Sequence, residues 1–447
     1  MAMDRRWTRG AATALVSALF FLAPGAPPTG PAHAQDSSTA GKAAAKARHA
    51  APARTPAPAK PAKSAKPGKP PSPAPAASAQ SKVPPRIPFT AAEDAAASIP
   101  GMPDARFFGD SPADFTAALP AQPGPWLALS SGGEDGAFGA GLLAGLSAAG
   151  KRPDYAVVTG VSTGALMAPF VFAGSKYDDA LRKAYTEVTE ADIFEAGSST
   201  GESFVDSWPL RDLIAKEITP ELVADVAAQH RNGRRLFVVS FDVDAERSVV
   251  WNMGAIAAHG GDDALKLFRT VLLASASIPG AFPPVLIDVE ANGKRFQEMH
   301  VDGGVGGQFF VAPASLMAST SDYRLPATAL YVIVNTSLEP SFEVVDRFAP
   351  SILTQTVGAA VQVDTRLMLD RAYVVAKRSG VGFNVASIPP SFTMPSRGAF
   401  DPQYMKPLFQ LGFQQGQSGT PFANQPPPYP GEPAPQSGDG VKSGEKR

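Results

Sequence analysis

Ala156-Val157-Val158-Thr159-Gly160-Val161-Ser162-Thr163-Gly164-Ala165-Leu166-Met167 is the stretch on which the reading of this chain turns. A short β-branched run leads into a glycine-flanked serine and then into an alanine-rich helical pattern: strand, tight turn and helix in succession. Gly160 and Gly164 carry no Cβ, so the turn can be sharp and strained and can push the Ser162 hydroxyl into the open. The helix that follows points its amino-terminal end at that hydroxyl. Gly160-Val161-Ser162-Thr163-Gly164 is the only G-x-S-x-G in the chain. The pattern alone is weak, and a glycine-rich turn capped by Ser162 or Thr163 is the plainer alternative. The strand before it and the helix after it make Ser162 a candidate nucleophile.

Outward from this turn, short apolar runs alternate with helical patterns. Trp126–Leu129, Ala156–Val158, Leu236–Val239 and Leu330–Val334 read as buried strands, and Ser248–Trp251 and Arg295–His300 as half-exposed ones. Helical spacing follows at Ala140–Ala149, Ala165–Ala173, Asp178–Val188, Glu221–His230 and Asp263–Ala274. Such alternation implies an α/β fold with a mainly parallel central sheet covered on both faces. Sites on such sheets lie at the carboxyl ends of the strands.

One of those ends carries Ser130-Ser131-Gly132-Gly133-Glu134-Asp135-Gly136. A loop of this kind exposes backbone N–H groups that can cradle a negative oxygen. The Lys-Ser/Thr ending of a phosphate loop is missing, and the glycine spacing does not fit a dinucleotide fingerprint, so an oxyanion hole is the better use of those donors. A single donor of this kind typically contributes about 2.7–4 kcal/mol to the transition state. The usual partner of a nucleophilic serine is histidine. Of the five, His33 and His49 precede the folded part, and none follows His300, where an α/β-hydrolase carries its triad histidine. A carboxylate is the alternative. Asp302 ends the Arg295–His300 strand and precedes Gly303 and Gly304, although an Asp-Gly pair by itself reads as a turn.

The ends of the chain are of another kind. A basic head, an apolar run from Ala11 to Leu22 and Ala32-His33-Ala34 before Gln35 form the pattern of a secretory signal over residues 1–34, so the mature protein is expected in the periplasm or medium, by a route that Arg5-Arg6 does not decide. Residues 35–85 are Ala, Pro, Lys and Ser with almost no large apolar side chain, and read as a disordered basic tether. That tether is a solvated spacer or a means of peripheral contact with a membrane or anionic envelope polymers. Residues 86–418 remain as the folded domain, and 419–447 read as a disordered tail rich in Pro and Gly. With no cysteine, disulfides and thiolate chemistry are excluded, and a formal net charge of −1 gives no reason to expect nucleic acid as a partner.

Taken together, the glycine-rich loop, Gly160–Gly164, the block Ala274-Ser275-Ala276-Ser277-Ile278-Pro279-Gly280-Ala281-Phe282-Pro283-Pro284 and Asp302-Gly303-Gly304 resemble the patatin-like phospholipases, over about Arg86 to Gly416. The resemblance implies a three-layer α/β/α fold and hydrolysis of lipid or phospholipid esters by a Ser–Asp dyad without histidine, metal or cofactor. Ser162 is then the nucleophile, Asp302 the base, and the N–H groups of Gly132 and Gly133 the main oxyanion donors. Two residues depart from the pattern: Ser131 replaces the first loop glycine, and Asp135 stands where relatives often carry Asn, Arg or Lys. An Asp charge at the oxyanion would cost about 3 kcal/mol at an effective dielectric of 20, and under about 1 kcal/mol if solvated. Asp135 is therefore expected to face water, or activity to be weak.

Other features are weighed against these. Phe108-Gly109-Asp110-Ser111 resembles the opening of GDSL esterases, but the required late Asp-x-x-His is absent and Ser111 before Pro112 suits a helix cap. Phe194, Phe204, Trp208, Phe282, Phe309 and Phe310 are candidates for an acyl channel, with core packing the plainer role. No Asp/Glu/His group shows metal-ligand spacing. The non-enzymatic alternative is a lipid-binding scaffold on a decayed fold of the same type.

Overall fold

The computed structural model describes residues 83–197, 202–340, 342, 344–419 and 421–429. Its strands are β1 (Arg106–Phe108), β2 (Gly124–Leu129), β3 (Val157–Val161), β4 (Glu195–Ala196), β5 (Val205–Asp206), β6 (Arg235–Asp242), β7 (Arg247–Asn252), β8 (Val285–Ala291), β9 (Lys294–Asp302), β10 (Ala327–Ser337) and β11 (Gly382–Ile388). β4 and β5 form a small ribbon, and the other nine make one sheet in the order β1-β7-β6-β3-β2-β10-β11, with β9 joined to β6 and β8 to β9. β6, β3, β2, β10 and β11 run parallel, while β1, β7, β8 and β9 add antiparallel pairs at one side. The antiparallel part has a local cause. Only residues 243–246 join β6 to β7, too few for a crossover, so the chain must turn back as a hairpin.

Successive residues of a strand enter different cores. Leu127, Val158 and Val238 pack with the helices Gly136–Ala148, Thr163–Ala173 and Gly261–Ser275 on one face. Trp126, Val157 and Val239 pack on the other with Leu369, Ala372 and Val375 of the helix Ala349–Ser379. This period-two division gives the three layers, α/β/α. The parallel strands of the centre are buried on both faces, which is why they read as unbroken apolar runs.

The helix Pro402–Ser418 was not legible in the sequence, yet it presses closely on Gly136–Ala148. A Cβ on Gly141 would lie 2.0 Å from the Phe409 carbonyl oxygen, and one on Gly412 would lie 2.2 Å from that of Phe138. Glycine is required on both helices because their backbones touch.

At the domain's start, the Arg86 guanidinium donates to the Gln297 carbonyl, and Phe89 stacks on Phe296. At its end the folded chain runs past 418. Ala423 bridges Val385, Phe422 packs edge-on to Tyr331, and the Tyr429 hydroxyl donates to Asp370. The Pro- and Gly-rich composition concealed these two aromatic anchors. Residues 1–34, most of 35–85, and 430–447 lie outside the described residues.

Candidate active site

Ser162 sits between β3 and the helix Thr163–Ala173 with φ 53° and ψ −121°, a conformation that an L-residue keeps only when its surroundings impose it. Those surroundings are specific. A Cβ on Gly160 would stand 2.5 Å from the Gly164 carbonyl oxygen, and one on Gly164 would stand 2.4 Å from that of Leu129, so no other residue closes this turn. The Ser162 N–H donates to Ser275 Oγ at 3.1 Å, and that hydroxyl donates to the Val239 carbonyl at 2.6 Å. The Thr163 end of the helix is held as well: the Tyr185 hydroxyl donates to the Thr163 carbonyl oxygen at 2.7 Å.

Asp302 closes β9, is wholly buried, and pairs in register with Ser240 of β6. Its N–H donates to the Ser277 carbonyl, and its Oδ1 accepts the Gly304 N–H at 2.8 Å. Gly303 is needed because a Cβ there would lie 2.1 Å from the Val239 carbonyl oxygen. Oδ2 takes no hydrogen bond of regular geometry. The Ser162 hydroxyl is nevertheless near enough to favour the ionised carboxylate, as is the Gly304 N–H. Desolvation outweighs both and pushes the carboxyl up to about 7. The structure thus brings Ser162 and Asp302 together across 140 residues, with a looseness common before substrate binds. The block Ala274–Pro284 serves both: Ser275 holds the serine turn, and Ser277 the aspartate.

The glycine-rich loop follows β2. Gly132 has φ 152° and Gly133 φ 56°, and a Cβ on Gly132 would strike the Asn335 carbonyl oxygen at 2.2 Å. Among the described residues no hydrogen bond takes up the N–H of either glycine, which leaves both free to serve an oxyanion. Ser131, the departure from the family pattern, is used structurally. Its N–H donates to the Gln308 carbonyl at 2.8 Å and its hydroxyl to Gln308 Oε1, while Gln308 Nε2 donates to the Gly304 carbonyl. Gln308 therefore ties the oxyanion loop to the Asp302 turn. Asn335 holds the same loop from β10, its Nδ2 donating to the Ser130 carbonyl at 2.9 Å and its Oδ1 accepting from the Gly139 N–H.

Asp135 does not simply face water, contrary to the expectation from sequence. It is half-buried, and the Tyr404 hydroxyl of the helix Pro402–Ser418 donates to its Oδ1. Burial raises the Asp135 carboxyl to about 7, with Glu134 adding to the rise and the Tyr404 bond opposing it. Much of the anticipated repulsion is thereby removed near neutral pH. Glu134 also binds the incoming helix, accepting the Asp401 N–H at 3.1 Å.

The remaining candidates fall elsewhere. His300 is buried between Ser240 and Glu298, and no hydrogen bond joins any described histidine to Ser162. The fold does assemble Asp242, Glu298 and His300 with ligand-capable atoms within 4.8 Å of one another, a grouping that sequence spacing did not reveal. The Glu298 carboxylate, however, is already engaged by both terminal nitrogens of Arg106, which supplies a cation to this cluster. Ser111 is a helix N-cap, accepting the Asp114 N–H. Phe194, Phe282 and Phe309 are core residues, Phe310 packs on Phe115, and Phe204 and Trp208 are exposed. None of these six lines the apolar pocket that begins at Thr163, beside the nucleophile. Thr163, Leu166 and Phe170 form one stripe of it, about 10 Å along the helix, faced by Tyr185, Val188 and Met405. Neither this pocket nor the wider polar cleft around Asp104, Arg106, His230 and Asn252 is lined by Ser162, Asp302, Gly132 or Gly133.

No curated protein matches the chain. Among solved structures it is similar to VipD from Legionella pneumophila, at 11% identity and TM-score 0.34, covering 68% of this chain and 67% of that one. It is also similar to the type III effector protein ExoU, at 15% identity and TM-score 0.27, covering 67% of this chain and 54% of ExoU. At these values neither likeness says anything of the chemistry. The family model for patatin-like phospholipases matches residues 127–315, a span holding Gly132, Gly133, Ser162 and Asp302 together with the turns that place them. By that match the region 127–315, less than half of the chain, is similar to the patatin-like phospholipases.

Proposed function

We propose that the domain cleaves carboxylic ester bonds of lipids through a Ser162–Asp302 dyad and an acyl-enzyme. The observation that carries this reading is a serine held at positive φ beside a wholly buried carboxyl whose pKa burial has brought to about 7. A base poised near the working pH combines a usable ionised fraction with real proton affinity. Asp302 takes the Ser162 proton as the oxygen attacks the ester carbonyl, and the N–H groups of Gly132 and Gly133 receive the developing oxyanion. The alcohol leaves with a proton returned from Asp302. Water, deprotonated by the same carboxylate, then attacks the acyl carbonyl, and the fatty acid is released as Ser162 Oγ leaves and takes that proton back from Asp302. Export with cleavage before Gln35, and envelope contact through residues 35–85, belong to the same proposal and rest on composition.

A panel of phospholipids and soluble p-nitrophenyl esters, with a fluorophosphonate probe, tests the dyad. Ser162→Ala and Asp302→Asn should each lose several orders of magnitude in turnover and the double variant little more, because the two act as one unit. The probe should label the parent at Ser162 and leave Ser162→Ala unlabelled. If His300→Asn abolished turnover while Asp302→Asn stayed near parental, a histidine mechanism would replace this one. Amino-terminal sequencing of the cell product tests export, which an intact Met1 in the cytosol would rule out.

A further inference from the structure

The helix Ala349–Ser379 runs antiparallel to β10 and outruns it. Near its carboxyl end, Arg378 donates to the carbonyls of Leu316, Ala318 and Tyr323, and Ser379 Oγ accepts the Leu325 N–H, just before β10 begins. Thirteen residues into the helix, Gln362 Nε2 donates to the carbonyls of Ser337 and Glu339, and Arg366 Nε to that of Leu338, where β10 ends. At 1.5 Å per residue, the part from Ala349 to Gln362 projects about 20 Å beyond the end of β10. That is the edge of the sheet from which Ser162 and the oxyanion loop rise, since Asn335 at the end of β10 is the residue that holds Gly132.

The projecting part has an unusual surface. From Phe348 to Val363 there is no ionisable side chain. Ile352 is 51%, Leu353 44% and Val363 58% exposed, and within 349–361 Val357 alone of the described side chains is buried. Ile352, Ala359 and Val363, spaced seven and four apart, lie on one helical stripe. Phe342 and Val344 of the approach to the helix are 94% and 81% exposed. A helix kept in water for its own sake carries charge on its outer side, whereas this one offers apolar area on a short overhang.

We propose that this overhang is a docking surface for a lipid layer, lying in its interface and presenting the Ser162 edge to the lipid it cleaves; the proposal rests on the lipid-ester reading above. Two observations select this occupant. The surface projects from the edge of the sheet at which β10 ends and Asn335 meets the oxyanion loop, and the absence of charge from Phe348 to Val363 matches an acyl environment rather than a charged protein partner. Among the described residues no helix is long and apolar enough to cross a membrane, so the overhang lies on the layer.

The experiment uses the full chain carrying Ser162→Ala, to keep vesicles intact, and neutral phosphatidylcholine vesicles in high salt, which screens the basic stretch before the domain. Ile352→Glu with Leu353→Glu should lower vesicle co-sedimentation about tenfold or more. In the Ser162 background the same pair should lower turnover of vesicle-borne phospholipid comparably, with turnover of a soluble ester and the melting temperature near parental. Ile352→Trp should shift its emission to the blue on adding vesicles. Unchanged sedimentation with unchanged Ile352→Trp emission would overturn the proposal, as would a parental dimer that the Glu pair splits without loss of vesicle binding. If Ser162→Ala binds vesicles as expected while the parent hydrolyses no ester of any kind, the docking surface stands and the hydrolase reading fails.

Discussion

Replacing Asp302 by Asn separates the chemistry of the base from its structural cost. In the folded protein burial raises this carboxyl from 3.8 to about 7. A raised carboxyl contributes stability that is fully present below 3.8 and lost as pH rises through about 7, because the folded state must then hold a buried anion. At about 1.36 kcal/mol per pH unit, a rise of about three units makes the ionised form cost about 4 kcal/mol, an order-of-magnitude figure that needs no solvent discount at a wholly buried site. The amide introduced by Asp302→Asn keeps an acceptor for the Gly304 N–H and cannot ionise. Relative to the parent, Asp302→Asn should therefore gain about 4 kcal/mol between pH 4 and pH 8, or about 5 °C in melting temperature for a domain of this size. Chemical and thermal unfolding at both pH values measure it. Activity must move the opposite way. Parental kcat/KM on a soluble ester should fall about tenfold per pH unit below the inflection near 7, while Asp302→Asn is nearly inactive throughout. A parent already at full activity at pH 5, with a stability gap that does not change with pH, would refute the assignment of a buried, near-neutral base.

Three further outcomes test the surrounding scaffold. Asp135→Asn should leave turnover near parental below pH 6 and raise it severalfold above pH 8, since the Asp135 carboxyl ionises through about 7 beside the oxyanion loop; equal activity at both ends would mean that the charge is not felt there. Gly132→Ala puts a Cβ against the Asn335 carbonyl oxygen and should cost turnover about 100-fold or more as well as lower the melting temperature; a fully active Gly132→Ala enzyme would remove this loop from the mechanism. Ser275→Ala leaves the buried Ser162 N–H without its acceptor, at about 1–3 kcal/mol, and should slow fluorophosphonate labelling and kcat while KM changes little; an unchanged labelling rate would show that Ser275 does not position the nucleophile.

The sequence by itself determined what depends on neighbours along the chain. Gly160, Gly164 and the β-branched run before them describe a strand entering a strained turn, because backbone freedom and side-chain period are local properties. The double-sided burial of the parallel strands was legible for the same reason, as was Ser111 as a helix cap. The pairing of Ser162 with Asp302 came from the resemblance that the separate motifs carry together, since an Asp-Gly pair by itself reads as a turn. The helix Ala349–Ser379 was not visible, because its first half lacks the alternation of charged and apolar faces by which a helix announces itself. Tyr429 and Phe422 were lost in the average composition of a Pro- and Gly-rich tail. Only the tertiary structure decided how the site is held and charged. Gln308 joins Ser131 to the Asp302 turn across 177 residues, and Tyr404 meets Asp135 across 269, separations at which sequence carries no register. The protonation of Asp302 and Asp135 belongs with these contacts. A carboxyl's affinity for its proton is set by the water it loses, and that loss exists only once distant segments have closed around it.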